Sequence, residues 1–321
     1  MVRPRLACVG VVVHPTKPVD DSLRALLAWG DRHAVTVVAR APEAARVPPG
    51  VEVLPEPEFL DRVDALVSLG GDGTMLGAMR LTVDRPVPVL GVNHGNVGFL
   101  VEVVPAEIGP ALDRLAEHRY EVEEHSCVEI DHDGATVVAF NDVVLGAGAP
   151  GGSVELDLEV EGTQFGYYRC DALVLATPTG STAYNYAAGG PVISPNADVL
   201  ALTPVAPMSG LSHSIVLPAG DAVRIRQTHV DDAVLRVDGV MTLAFPPGAV
   251  ATARPHPDAA QVVRLDPDRH AQRSRVKLSL LDLPLRREQI AELLPSELRE
   301  DVLTRLREHR RQGALGWGPP E

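Results

Sequence analysis

The sequence predicts an α/β domain on a parallel sheet, then an all-β layer, then a helical tail. Three observations predict it. Over the first hundred residues, apolar runs alternate with stretches of helical spacing, the rhythm of βαβ units in a doubly wound sheet. From residue 101, short alternating strands separated by Gly, Pro and Asp take over, as in a β-sandwich or a related all-β layer. From about Arg286, helical spacing returns. The 321 residues, 45% of them hydrophobic, suit about two domains with ample cores. The predicted divisions are 1–100, 101–265 and 266–321. With no internal repeat or low-complexity linker, the domains are expected to share a broad interface.

The elements follow in order. "LACVGVVV" (6–13) is continuously apolar, as a strand buried on both faces must be. Its apolar run is too short for a secretory leader, and His14-Pro15 ends it where no small-residue cleavage site follows. In "DSLRALLAWGDRH", Leu23, Leu26, Leu27 and Trp29 fall near one helical face. "AVTVVA" and "VDALVSL" return as strands, "TMLGAMRL" as a helix and "VPVLGVN" as the next strand. Asp133-Gly134 marks a hairpin between two alternating runs within 121–145. Strands continue in "SVELDLEVEG", "DALVLATP", "SIVLPAGDAVRIRQ", "AVLRVDG" and "VMTLAF". The tail places Ile290, Leu293, Leu294, Leu298, Val302 and Leu303 on one helical face, or on two broken at Pro295.

Composition narrows function. A net charge of −14 repels nucleic acid and anionic lipid, and no apolar run approaches a membrane span. Three scattered cysteines, Cys8, Cys127 and Cys170, form no C-x-x-C pair. They fit reduced thiols in a cytosol. The histidines show no zinc spacing, so no protein metal site is assigned.

The chemistry concentrates in three places. Gly70-Gly71-Asp72-Gly73-Thr74 lies between a buried strand and a helix, where open α/β sheets bind ligands. Glycines allow φ > 0 and close approach to backbone amides, which attract phosphate at a helix N-terminus. Thr74 can cap that helix or donate to an anion. Asp72 would repel phosphate, so it points to a task that needs a carboxylate: accepting a hydroxyl proton, or meeting Mg²⁺. The spacing is not that of a P-loop, and "GAGAPG" (146–151) precedes a strand pattern rather than the helix a dinucleotide fingerprint requires. The second place is "TPTGSTAYN" (177–185), a row of hydroxyls and an amide able to grip ribose, base edges or phosphate without charge. The third is Asn141-Asp142, whose side chains can meet one ligand only at a strand end or bulge.

Together these motifs resemble the NAD kinase family. The resemblance rests on Gly70–Thr74, on Gly95-Asn96-Val97-Gly98-Phe99-Leu100, on Thr177–Tyr184 and on Ala188–Pro191, and covers roughly residues 8–265. It implies a Rossmann-like α/β domain, a C-terminal β-sandwich, and a last segment returning toward the first domain. The implied reaction is transfer of a phosphoryl group from ATP, or in some members polyphosphate, to the adenosine ribose 2′-hydroxyl of NAD. Mg²⁺ would arrive with ATP, in a cytoplasmic homodimer or homotetramer. By resemblance, Asp72 is the general base. Gly70, Gly71, Gly73 and Thr74 lie along phosphate, and Asn141 and Asp142 hold NAD. Arg169 and Asp171 meet the second half of the dinucleotide. Thr179, Ser181, Thr182, Ala183, Tyr184, Asn185, Tyr186 and Ala187 line the pocket. Asp142, Ala187, His213-Ser214 and Val240 depart from the usual Glu, Ser, Arg-Pro and Gln. Those departures motivate one rival, a non-catalytic NAD sensor. The Gly70–Thr74 signature alone motivates another, a lipid or sugar kinase.

Overall fold

A computed structural model describes residues 6–95 and 99–271. Asn96, Val97 and Gly98 lie outside the described residues, as does the helical tail expected after Arg286. Two compact units are distinguished, residues 1–265 and 266–321. Of the second, only the opening is described: a helical turn at whose start the Arg269 N–H donates to Asp266 Oδ1 at 2.9 Å.

The first unit opens with β1 (Cys8–Val13), α1 (Asp20–His33), β2 (Thr36–Arg40), β3 (Glu52–Leu54), α2 (Glu56–Arg62), β4 (Ala65–Gly70), α3 (Asp72–Arg80), β5 (Pro88–Asn93) and α4 (Ile108–Ala116). The strands pair in parallel in the order β5-β4-β1-β2-β3. β1 and β4 are buried along their whole length, as expected of strands covered on both faces. On one face, Leu23, Leu26 and Trp29 of α1 join Leu112 and Leu115 of α4. On the other, Phe59 of α2 packs with Met75, Leu76 and Met79 of α3.

The chain continues through β6 (Glu121–His132), β7 (Ala135–Ala139), β8 (Asp142–Ala147), β9 (Val154–Val160), β10 (Thr163–Cys170), β11 (Ala172–Ala176), the one-turn helix α5 (Tyr184–Ala187) and β12 (Val199–Val205). It closes with β13 (Ser209–Gly210), β14 (Ile215–Pro218), β15 (Val223–Gln227), β16 (Ala233–Val237), β17 (Met241–Phe245) and β18 (Val250–Arg264). Asp133 and Gly134 both adopt positive φ, 51° and 75°, in the β6–β7 turn, the conformation a two-residue hairpin requires. The "GAGAPG" stretch joins β8 to β9, with no helix after it.

Two features exceed the sequence reading. First, the parallel and antiparallel layers share one sheet of twelve strands, in the order β13-β10-β9-β15-β18-β5-β4-β1-β2-β3 with β6 and β7 attached through β18. The long strand β18 runs parallel to β5 near its end and antiparallel to β15 and β6. Its Pro255, Pro257 and the positive φ of Asp258 coincide with a register shift between His256 and Ala260. Prolines and a bulge disrupt the period-two pattern, which hides such a strand from a periodicity reading. Second, β3, α2 and α4 are short elements that the pattern does not announce. A separate six-stranded sheet, β14-β12-β11-β8-β16-β17, packs Val143, Leu145, Leu173, Leu202 and Leu235 against Ile130, Leu156, Tyr168 and Ile225 of the large sheet. That is a sandwich core. Among the described residues, no helix is long and apolar enough to cross a membrane.

Candidate active site

The site begins where β4 ends. Gly71 is the N-cap of α3, and no side chain caps it; the Thr74 N–H turns back to the Gly71 carbonyl at 3.0 Å, which leaves the amides of Asp72 and Gly73 at the helix start. Gly70, Gly71 and Gly73 do not adopt the left-handed φ that the sequence reading allowed them. Their value is space. A Cβ on Gly70 would overlap the Thr74 side chain, whereas one on Gly71 or Gly73 would meet nothing within 4 Å. The Thr74 hydroxyl packs back onto Gly70, buried and without a hydrogen-bond partner among the described residues. It caps nothing, because α3 starts two residues earlier.

Asp72 opens α3, half-buried. Its Oδ2 accepts the Phe99 N–H at 2.7 Å and its Oδ1 accepts the Leu100 N–H at 3.1 Å. The loop after β5 therefore fixes the carboxylate's orientation. Beside it opens a cavity of about 670 Å³ lined by Gly71, Asp72, Gly73, Lys17, Arg40 and Arg46, among others. That is the size of a small-molecule site. Although the chain is strongly acidic, this cavity gathers cations. Arg40 pairs with Glu43 and Glu56, and Arg46 donates to the Lys17 carbonyl. His14 Nδ1 accepts the Thr16 and Lys17 N–H groups at 3.1 and 3.0 Å, fixing the β1–α1 loop. Burial, then Lys17 and Arg46, lowers the His14 pKa. That fits a neutral ring whose Nδ1 accepts.

Asn141-Asp142 sits at the junction of β7 and β8, the strand end such a pair needs. The junction is held by Asp238, whose side chain is fully buried. Its carboxylate accepts the N–H groups of Phe140, Asn141 and Asp142 at 3.0, 2.7 and 3.1 Å. It also pairs with Arg80 at 2.6 Å. Arg80 ends α3, the helix that Asp72 begins, so one buried carboxylate ties the two halves of the site together. Burial, then the Asp238 charge, pushes Asp142 up from 3.8 to about 6, against a lowering hydrogen bond from the Tyr184 backbone.

The hydroxyl row arrives beside that junction because β11 pairs with β8, Ala176 opposite Asp142. The Thr177 hydroxyl donates to the Phe140 carbonyl at 2.6 Å and accepts the Gly180 N–H at 3.0 Å. The Thr177 N–H donates to the Asn141 carbonyl at 3.0 Å. A Cβ on Gly180 would overlap the Asn141 carbonyl, so only glycine lets this turn stack on the Asn141 peptide. Thr179–Thr182 forms a 3₁₀ turn leading into α5.

The predicted lining residues divide by environment. Ser181 and Asn185 are buried and engaged internally. The Ser181 hydroxyl bridges the Pro178 carbonyl and the Ile193 N–H. The Asn185 amide donates to the Ser181 and Pro191 carbonyls and accepts the Thr203 hydroxyl. Thr179, Thr182, Ala183 and Tyr186 are half-buried, and Tyr184 and Ala187 are exposed. Arg169 and Asp171 stand apart from this cluster. Five residues of β11 separate Asp171 from Thr177, so six steps of strand, roughly 20 Å, lie between them. Arg169 lies 3.4 Å from Glu155.

Sequence reasoning missed Asp238, Arg80, Lys17, Arg40 and Arg46. Asp238-Gly239 reads like any Asp-Gly hairpin turn, and the positive φ values of 47° and 68° show that it is one. Its second task exists only in three dimensions. The cations come from three separate segments and share no spacing.

Comparison with known proteins bears directly on this geometry. Residues 9–120 match a model described as the ATP-NAD kinase N-terminal domain. Residues 140–265 match one described as the ATP-NAD kinase C-terminal domain. The chain is 38% identical over 231 residues to an NAD kinase of Symbiobacterium thermophilum, covering 70% of this chain and 82% of that protein. Its fold resembles the crystal structure of yeast NADH kinase complexed with NADH, at TM-score 0.76 and 24% identity over 88% of this chain and 90% of that one. It also resembles an NAD kinase from Archaeoglobus fulgidus in complex with ATP, at TM-score 0.66 and 24% identity over 86% and 98%. At that identity, the structural likeness speaks for the fold.

Proposed function

This chain belongs to the NAD kinase family, and from that premise we propose that Asp72 drives transfer of the terminal phosphoryl group of ATP to the adenosine ribose 2′-hydroxyl of NAD. The enzyme is a phosphotransferase acting on NAD, and neither the sensor nor the lipid- or sugar-kinase reading is favoured. The observation that carries the assignment of roles is Asp72 itself, held by two backbone N–H groups at the mouth of a cation-lined cavity. A carboxylate oxygen can accept more than one hydrogen bond, so one held by a backbone N–H can also receive a ribose hydroxyl. As the new O–P bond forms, the 2′-hydroxyl proton passes to Asp72 and the electrons of the cleaved O–P bond leave with ADP. Such transfers depend on positioning and charge neutralisation more than on a strong base. The first amides of α3, those of Asp72 and Gly73, and the open faces of Gly71 and Gly73 receive phosphate oxygens. Lys17, with Arg46 behind it, offsets their charge, Arg40 being already paired with Glu43 and Glu56; these cations also suit polyphosphate as donor.

A divalent cation fits this donor set only in part. Asp72 is the carboxylate beside the loop, and Mg²⁺ takes about six oxygens. It would therefore be held mainly by donor phosphates and water, and it would neutralise charge there. Asn141 and Asp142 grip the dinucleotide by amide and hydroxyl contacts. Thr179, Thr182, Ala183, Tyr184, Tyr186 and Ala187 line its pocket, with Ser181 and Asn185 holding the turn in shape. Arg169 and Asp171 contact the second half of NAD. The exposed Phe165 and Tyr167 beside them, with Met208, suit a second copy of the chain, giving a homodimer or homotetramer. The domain division is 1–100, 101–265 and 266–321. The free, buried thiols suit the cytoplasm. In the test, protein, Mg²⁺ and NAD are incubated with ATP or polyphosphate and NADP is measured. Asp72→Asn should lower turnover at least about 100-fold while NAD binding changes little. Undiminished turnover would remove the base role.

A further inference from the structure

A buried chain of charged groups joins the two halves of the site by a second route, and the reaction as described leaves it unused. Arg264, at the end of β18, is 3% exposed. Its guanidinium forks onto Glu123 of β6, with Nε–Oε2 at 2.7 Å and Nη2–Oε1 at 3.0 Å. Its remaining arm donates to the Leu100 carbonyl at 2.6 Å. Leu100 is one of the two residues whose N–H groups hold Asp72. In the other direction, Glu123 Oε1 lies 2.8 Å from Nε2 of His125. The opposite ring atom, Nδ1, is 3.0 Å from the Thr179 hydroxyl, in the turn stacked on Asn141.

We infer that Arg264, Glu123 and His125 act as a positioning relay, coupling the seat of Asp72 to the Thr179 turn so that the base and the dinucleotide grip are aligned together. The inference rests on the roles proposed above for Asp72 and the Thr179 turn. Three features argue that the chain does more than fill space. First, every link except His125–Glu123 is a directed hydrogen bond. Second, the Arg264 fork has a fixed planar geometry that a lysine cannot reproduce. Third, the residues come from β6, β18 and the loop after β5, the elements that meet where the parallel sheet passes into the sandwich. Burial would raise the Glu123 pKa, but His125 and Arg264 outweigh it and hold that carboxyl well below the ordinary range. Glu123 thus remains a charged anchor between two partners. Holding the loop angle alone would not require an anchor that reaches Thr179.

The test uses the full chain with ATP, Mg²⁺ and NAD, comparing Arg264→Lys, His125→Phe, the double variant, and Arg264→Lys combined with Asp72→Asn. Circular dichroism and melting confirm folding, and Arg264→Gln serves as second probe if the lysine variant melts early. Arg264→Lys should lower kcat about tenfold with little change in the KM for NAD, since it loosens the seat of Asp72. His125→Phe should chiefly raise the KM for NAD. The double variant should lose at least about threefold less than the product of the two single losses in kcat/KM, because coupled residues are non-additive. In the Asp72→Asn background, Arg264→Lys should cost no further turnover. Multiplicative losses, or the same tenfold loss without Asp72, would overturn the relay. Full activity of Asp72→Asn alone would instead overturn the base assignment. The relay would then be judged by direct titration of NAD binding, where the Arg264 and His125 effects must still be coupled.

Discussion

Asp142→Asn should make the protein more stable at neutral pH while weakening its hold on NAD. Asp142 is 5% exposed and lies near the buried carboxylate of Asp238. Burial and that like charge raise it from 3.8 to about 6, with the Tyr184 N–H only partly compensating. The sign follows from proton linkage. Between pH 4 and 6 the folded protein binds a proton at Asp142 that the unfolded chain has already released. Stability is therefore lost as pH rises through this window. With 1.36 kcal/mol per pKa unit, the ionised group costs about 3 kcal/mol at pH 7 and about 1 kcal/mol at pH 4.5. Asparagine keeps an oxygen for the Tyr184 N–H and brings an amide rather than a charge toward Asp238. Urea unfolding of wild type and variant at both pH values, without ligand, measures the difference. The variant's advantage should be larger at pH 7 than at pH 4.5 by about 2 kcal/mol. A pH-independent difference, or a variant less stable at pH 7, would refute the reasoning. Under the role proposed for Asp142, so costly a group is kept because an ionised oxygen binds a ribose hydroxyl more strongly than an amide does.

Three further outcomes follow from the same geometry. Asp238→Ala strips three backbone N–H groups and Arg80 of their shared acceptor. It should destabilise by about 3–5 kcal/mol, read as a lower urea midpoint, with NAD affinity falling alongside. Gly180→Ala forces a methyl into the Asn141 carbonyl and should abolish NAD binding, seen by titration calorimetry, even if the cores still fold. Lys17→Met should raise the KM for ATP about tenfold while leaving the KM for NAD within about twofold, since it removes one half-buried cation from beside the glycine loop; equal effects on both constants would take Lys17 off the donor site.

What the sequence alone determined was local and periodic. Gly70–Thr74 could be placed between a strand and a helix because β4 is an apolar run interrupted only by Ser68 and α3 carries helical spacing. The Asp133-Gly134 turn was legible because two-residue hairpins demand positive φ from a short list of residues. The Thr177–Tyr184 block announced a polar surface by its composition. Tertiary structure decided the rest, because the deciding forces act between residues distant in the chain. Nothing near Asp238 in sequence shows that its carboxylate will gather Phe140, Asn141, Asp142 and Arg80. The cavity brings Lys17, Arg40 and Arg46, with Glu43 among them, to one glycine loop although the chain as a whole is acidic. Likewise Arg264 reaches Leu100 only because β18 crosses from the sandwich to pair beside β5. Periodicity records which face of an element is buried, whereas the partner met on that face is set by how the sheets join.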